Sequence, residues 1–189
     1  RDRLDETPNL SSWLNGVLAA QSGDLNGLKK EVSWMEDKIL RHSVSATNFS
    51  PIWKFYIHLK ILTGFLQKDL GQVHSYIEEG RQIRSKMGYW GSFFNLTFFY
   101  NQYAEALLNL SEKGVSDTLP EAQSLLEDAE SYNPRYAWTH LNLARLYLGQ
   151  GNRENGRTEC SLAKGILSGS DPDYILEKNL VEIQARLAE

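Results

Sequence analysis

The sequence predicts an all-α protein of about four helix hairpins in series, closed by a single C-terminal helix. Three observations carry this. Apolar residues recur at helical spacing nearly from end to end, and strand-like alternation is scarce. Short segments of Gly, Asn, Asp, Ser and Pro divide the periodic stretches. Gly16, Ile61, Ala104 and Ala144 mark equivalent central positions that recur roughly every 40–45 residues, a period typical of two-helix repeats. A lone hairpin cannot bury its apolar stripe, so such repeats stack and residues 1–189 read as one domain.

Helices are expected near 9–22 and 24–42, 51–67 and 69–87, 91–111 and 119–132, 135–149 and 152–168, with a last one at 172–187. The hairpins are therefore about 9–42, 51–87, 91–132 and 135–168. Gly23-Asp24 and Gly151-Asn152 close tight turns, because Gly reaches a positive φ without a steric cost. Pro51, Pro120 and Pro172 suit first helical turns, where a missing N–H is harmless. Asp171 is a candidate N-cap for the last helix. Ser111–Leu119 reads as an inserted loop in the third hairpin. In the last helix Leu176, Leu180, Ile183 and Leu187 share one face and charged residues lie elsewhere, as an end cap needs. Trp53, Trp90, Phe93, Phe94 and Phe99 cluster at helix starts and are expected to pack between repeats.

The stretch NPRYAWTHLNLARLYLGQGNRENGRTECSLAKGIL, Asn133 to Leu167, carries Ala144, Tyr147, Gly151, Gly156 and Ala163 at characteristic places. It resembles a tetratricopeptide (TPR) hairpin; the third hairpin resembles one too, and the first two do so weakly. The period is longer than the TPR norm of about 34. The length and style of the repeats also resemble helical sensor domains of bacterial transcription activators and signalling ATPases. The TPR resemblance implies a right-handed α-solenoid whose first helices line a concave binding face. It does not imply capture of chaperone C-termini. The two-carboxylate clamp needs Lys and Asn where this chain has Trp13 and Val17, Asn where it has Leu59, and Lys and Arg where it has Asn101, Gln102 and Glu105.

Bulk properties narrow the function. Of 189 residues (21.6 kDa), 41% are hydrophobic and 23% charged, ordinary for a globular protein. A net charge of -4 and pI near 5.6 argue against a nucleic-acid surface. Arg81, Arg84 and Lys86 read as a cationic helix end favoured by the dipole. The most apolar stretch, Ile52–Leu66, is interrupted by Lys54, His58 and Lys60 and cannot span a bilayer. Cys160 is the only cysteine and excludes an intrachain disulfide. With that, the expected setting is intracellular, in the cytoplasm. The sequons at Asn9, Asn48, Asn95 and Asn109 matter only in a secreted chain. No signal peptide is visible, and an opening at Arg1 rather than Met gives that absence no weight.

No catalytic, metal or cofactor constellation is expected. His42, His58, His74 and His140 lie outside any metal-ligand spacing. Gly149-Gln150-Gly151 follows a helix rather than a strand and is a hairpin turn, not a phosphate loop. The expected function is that of an adaptor, not an enzyme: it binds a peptide or amphipathic helix of another protein in an apolar concave groove. Trp13, Phe55, His58, Leu62, Phe98, Asn101, Trp138, Leu141 and Arg145 are the expected contact residues. The apolar side chains would anchor, and Asn101 and Arg145 would fix register. Two alternatives stand beside this: a regulatory sensor module that binds a small effector or a neighbouring domain, and a self-associating assembly domain. If the array closed on itself, or the last helix filled the groove, the same aromatic residues would be core.

Overall fold

The computed structural model describes residues 6–41, 51–87, 96–115, 117–168 and 175–188. Every regular element among them is a helix. They are α1 (Glu6–Ser22), α2 (Leu25–Arg41), α3 (Pro51–Leu66), α4 (Leu70–Lys86), α5 (Thr97–Glu112), α6 (Leu119–Tyr132), α7 (Ala137–Gly149), α8 (Arg153–Leu167) and α9 (Ile175–Ala188). The chain divides into two compact units, 1–95 and 96–189, where periodicity alone suggests one domain.

In the first unit, α1 pairs with α2, α3 pairs with α4, and α3 packs on both members of the first hairpin. The turn between α1 and α2 is made by Gly23 at φ +75°, and the Asp24 carboxylate accepts from the Gly27 N–H at 2.9 Å. That bond satisfies one of the four N–H groups that a helix start leaves unpaired. Asp69 does the same for α4, accepting from Gln72 N at 3.0 Å. Leu28, Met35, Leu59, Val73 and Ile77 are sealed in the interior. Gly64 is small for a reason: a Cβ there would meet Val73 Cγ2 at 2.8 Å and Val73 N at 3.1 Å, so α3 and α4 touch nearly backbone to backbone.

In the second unit, α5–α6 and α7–α8 are hairpins, α5 packs on α7, and α9 packs on α7 and α8. Gly151 (φ +76°) makes the last hairpin turn, and Asn152 caps α8 by accepting from Asn155 N at 3.2 Å. Helix α5 starts at Thr97 after a non-helical Leu96, later than the expected 91; residues 91–95 lie outside the description, as do Trp90, Phe93 and Phe94. The inserted loop is held by Gly114 (φ +84°) and by the Thr118 hydroxyl, which donates to the Leu107 carbonyl at 3.0 Å. Pro120 sits in the first turn of α6. Asp171 and Pro172 also fall outside the described residues.

The α9 face foreseen from its period is buried: Leu176, Leu180, Ile183 and Leu187 form one core with Ala144, Cys160 and Ala163. Each such large side chain contributes about 1.5–3 kcal/mol on burial, much of it offset by the entropy of ordering the helix. Ala144 and Ala163 are fully buried, which lets α7 and α8 approach closely. Cys160 lies in the same core, and burial followed by the nearby Glu159 carboxylate raises its thiol pKa. It is an apolar filler. No helix among the described residues is long and apolar enough to cross a membrane.

Candidate functional site

Three of the expected residues of the first unit meet. Trp13 of α1 stacks on Phe55 of α3 at a ring separation of 5.3 Å and 27° and tilts toward His58 at 6.5 Å. Leu62, one turn after His58, is half-buried, as are Trp13, Phe55 and His58. The ring stack follows from Gly16, at which the Leu59 side chain leaves no room for a Cβ. With α1 drawn that close to α3, Trp13 has only the exposed side of α3 to lie on. Trp53, expected to pack between repeats, is half-buried and meets Tyr56 edge-on at 6.2 Å.

In the second unit Phe98 and Trp138 come together from α5 and α7, edge to face at 5.5 Å. Phe98 is 50% exposed. Trp138 is fixed: its indole N–H donates to Glu105 at 3.0 Å, and Tyr136 lies edge-on at 6.3 Å. Beside this pair is a cavity of about 230 Å³ lined by α5, α7 and α9. Arg145 stands in it, donating to Asn109 at 2.7 Å and pairing with Glu112 at 3.2 Å. Arg186 of α9 pairs with the same carboxylate at 3.1 Å. Burial alone would raise the pKa of Glu112, but the two guanidinium groups overcome it and hold it below the ordinary value. This face is charged as well as aromatic, whereas the pattern of first helices suggested an apolar one. Glu112 and Arg186 are the residues that the sequence reading missed; they are 74 positions apart, and no periodicity links them.

Two expected contact residues lie inside the protein instead. Asn101 is fully buried: its amide donates to Thr97 O at 3.0 Å and to the Thr139 hydroxyl at 2.8 Å, and it accepts from the Asn142 amide at 3.2 Å. It fixes the register of α5 on α7. Leu141 is buried under α9 in the common core. The causes differ: Leu141 is covered because α9 packs on α7, whereas Asn101 is enclosed where α5 packs on α7.

His140, also buried, is held between two acceptors. Its Nε2 lies 2.9 Å from the Pro134 carbonyl and its Nδ1 2.7 Å from the Glu159 carboxylate. A neutral imidazole could donate to only one of them, so the doubly protonated ring fits best. The bond to Glu159 accordingly raises its pKa, against the burial that lowers it. No group of three or more His, Cys, Asp or Glu poised for a metal occurs among the described residues.

The architecture has a solved counterpart. A thermophilic TPR protein of Thermus thermophilus superposes with a TM-score of 0.52 over 94% of this chain and 81% of that one, at 19% sequence identity. The fold is TPR-like. No protein-family model matches the sequence, and no curated protein matches it. The divergence fits the long repeats: a TPR-like backbone needs small residues where helices approach, here Gly16, Gly64, Ala144 and Ala163, and tolerates change elsewhere.

Proposed function

We propose that the protein is a binding adaptor with no catalysis of its own, holding a segment of another protein against its first helices. The observation that carries this is the Phe98–Trp138 pair. A half-exposed phenylalanine beside a tryptophan locked by a hydrogen bond is an aromatic anchor already arranged before any partner arrives. Trp13, Phe55, His58 and Leu62 supply a second aromatic surface in the first unit. Arg145 orients polar groups of the ligand from the adjoining cavity. The TPR-like fold supports the reading as a scaffold built for surface rather than for a deep pocket.

The test uses Phe98→Glu, because that ring is exposed and its replacement leaves the core intact. Wild type and variant are immobilised, exposed to native extract, and compared by mass spectrometry after circular dichroism confirms equal helicity. A protein retained by wild type and lost by the variant is the expected result. An identical set of captured proteins on both would sink the reading.

A further inference from the structure

The cavity beside Trp138 is lined by ionisable side chains from three helices: Glu105 and Glu112 of α5, Arg145 of α7, and Glu182 and Arg186 of α9. Three carboxylates face two guanidinium groups, so one negative charge stands in excess. The pairing among them is uneven. Both guanidinium groups converge on Glu112, Arg145 through Nε and Nη2 at 3.4 and 3.2 Å, Arg186 through Nη1 at 3.1 Å. Glu105 accepts from the Trp138 indole at 3.0 Å with one oxygen; the other lies 3.9 Å from Arg145, beyond hydrogen-bond reach. Glu182 has no hydrogen bond or ion pair among the described residues.

Asn142 adds an independent observation. It is 2% exposed and lines the same cavity. Its amide nitrogen donates to the Asn101 carbonyl at 3.3 Å and to Asn101 Oδ1 at 3.2 Å. Its own Oδ1 accepts from nothing among the described residues. A buried acceptor without a donor is costly, and native proteins rarely leave one so. Asn142 follows Trp138 by one turn of α7, and its partner Asn101 precedes Glu105 by one turn of α5, so these groups share one corner of the cavity.

These atoms select the chemistry of a ligand. An incoming anion would have to displace Glu112 from both guanidinium groups and would sit among Glu105 and Glu182. A hard metal ion wants several converging carboxylates, and no group of three acids or histidines poised for a metal occurs among the described residues. A primary ammonium has three N–H donors, no acceptor, and a single positive charge that balances the excess. The cavity, about 230 Å³, is small for a drug-sized molecule. Trp138, Leu141 and Ile183 give a methylene stem an apolar wall.

We infer that this cavity is the seat of a primary ammonium group, carried by a lysine of the segment bound across Phe98 and Trp138. The ammonium donates to Glu105, Asn142 and Glu182, and the lysine stem lies against Trp138. Trp138 also meets Phe98 at 5.5 Å, so one segment reaches both. This rests on the adaptor reading and names the charge that its ligand carries.

The experiment follows the Trp138 indole N–H by NMR while the full chain is titrated with Nα-acetyl-lysine amide; Trp138→Phe assigns the signal. A saturable shift with a Kd of about a millimolar is expected. The norleucine derivative, which keeps the stem and lacks the charge, and the glutamate derivative should each bind about tenfold weaker or worse. Glu182→Gln and Glu105→Gln should each weaken the lysine derivative by about threefold, with thermal melts confirming the fold; Glu182 is exposed, and its replacement leaves the core intact. An equal response to the three derivatives, no saturable shift, or affinity indifferent to both variants would overturn the inference. Cadaverine should bind no better than the lysine derivative. If it binds about tenfold tighter, the assignment to a partner's lysine is overturned in favour of a free amine. A failed titration with Phe98-dependent capture intact removes only this inference. A successful titration with capture abolished by neither variant nor Phe98→Glu removes the adaptor reading, and the lysine assignment with it.

Discussion

His140 shows how a single buried side chain can link stability to pH. Its folded pKa lies above the ordinary value of about 6.5 because Glu159, and then the Pro134 carbonyl, favour the charged ring over the cost of burial. A raised histidine pKa stabilises the fold fully below the unfolded value and loses that contribution as pH rises through the folded value. Glu159 and Glu130 are the carboxylates that act on it. The Tm should therefore fall as the solution is taken from about pH 6 past the folded value, and Glu159→Gln should flatten that dependence. Thermal melts across the range check both; an unchanged slope in Glu159→Gln would show that another group is responsible. Glu112 acts in the opposite sense. Its lowered pKa stabilises the fold above the unfolded value and is lost in acid, so the Arg145 and Arg186 pairing opens as carboxylates protonate.

At the scale of elements, two glycines on different hairpins separate packing from propensity. A methyl group at Gly64 has nowhere to go, because the Val73 backbone blocks it. Gly64→Ala should cost about 1–3 kcal/mol through overpacking. Gly165 lies on the exposed side of α8 with open space around it, and Gly165→Ala should stabilise by about 0.5–1 kcal/mol by restricting the unfolded chain. Urea denaturation distinguishes them; two shifts of the same sign would contradict this packing. Most element boundaries were legible in the sequence because their causes are local. Gly23, Asp24, Pro51, Pro120, Gly151 and Asn152 act within a turn of themselves. The face of α9 was legible from its period. The burial of Asn101 and Leu141, the Glu112–Arg186 pair and the setting of His140 were not. Each depends on a partner in another helix, and a residue's own neighbours in sequence do not specify which helix covers it. Helical period puts Phe55 and His58 on one face of α3, and the structure brings Trp13 of α1 against that face.

For the molecule as a whole, the division at residues 95 and 96 carries a prediction. Residues 96–189 contain two hairpins, α5 packed on α7, and a last helix whose leucine face shares one core with α7 and α8. Expressed alone, this segment should be helical and should unfold cooperatively in a calorimeter; a broad, non-cooperative melt would show that it depends on the first unit. Within it, the amides of Asn101 and Asn142 and the hydroxyl of Thr139 meet across α5 and α7, buried from solvent. Sliding one helix along the other by a turn would strand all three, whereas a seam of leucines would tolerate the slip. Repeat arrays are commonly lengthened, shortened and recombined, since one greasy neighbour can replace another. This junction works as a lock with its own key: a repeat transplanted from elsewhere would be refused unless it brought the matching amide.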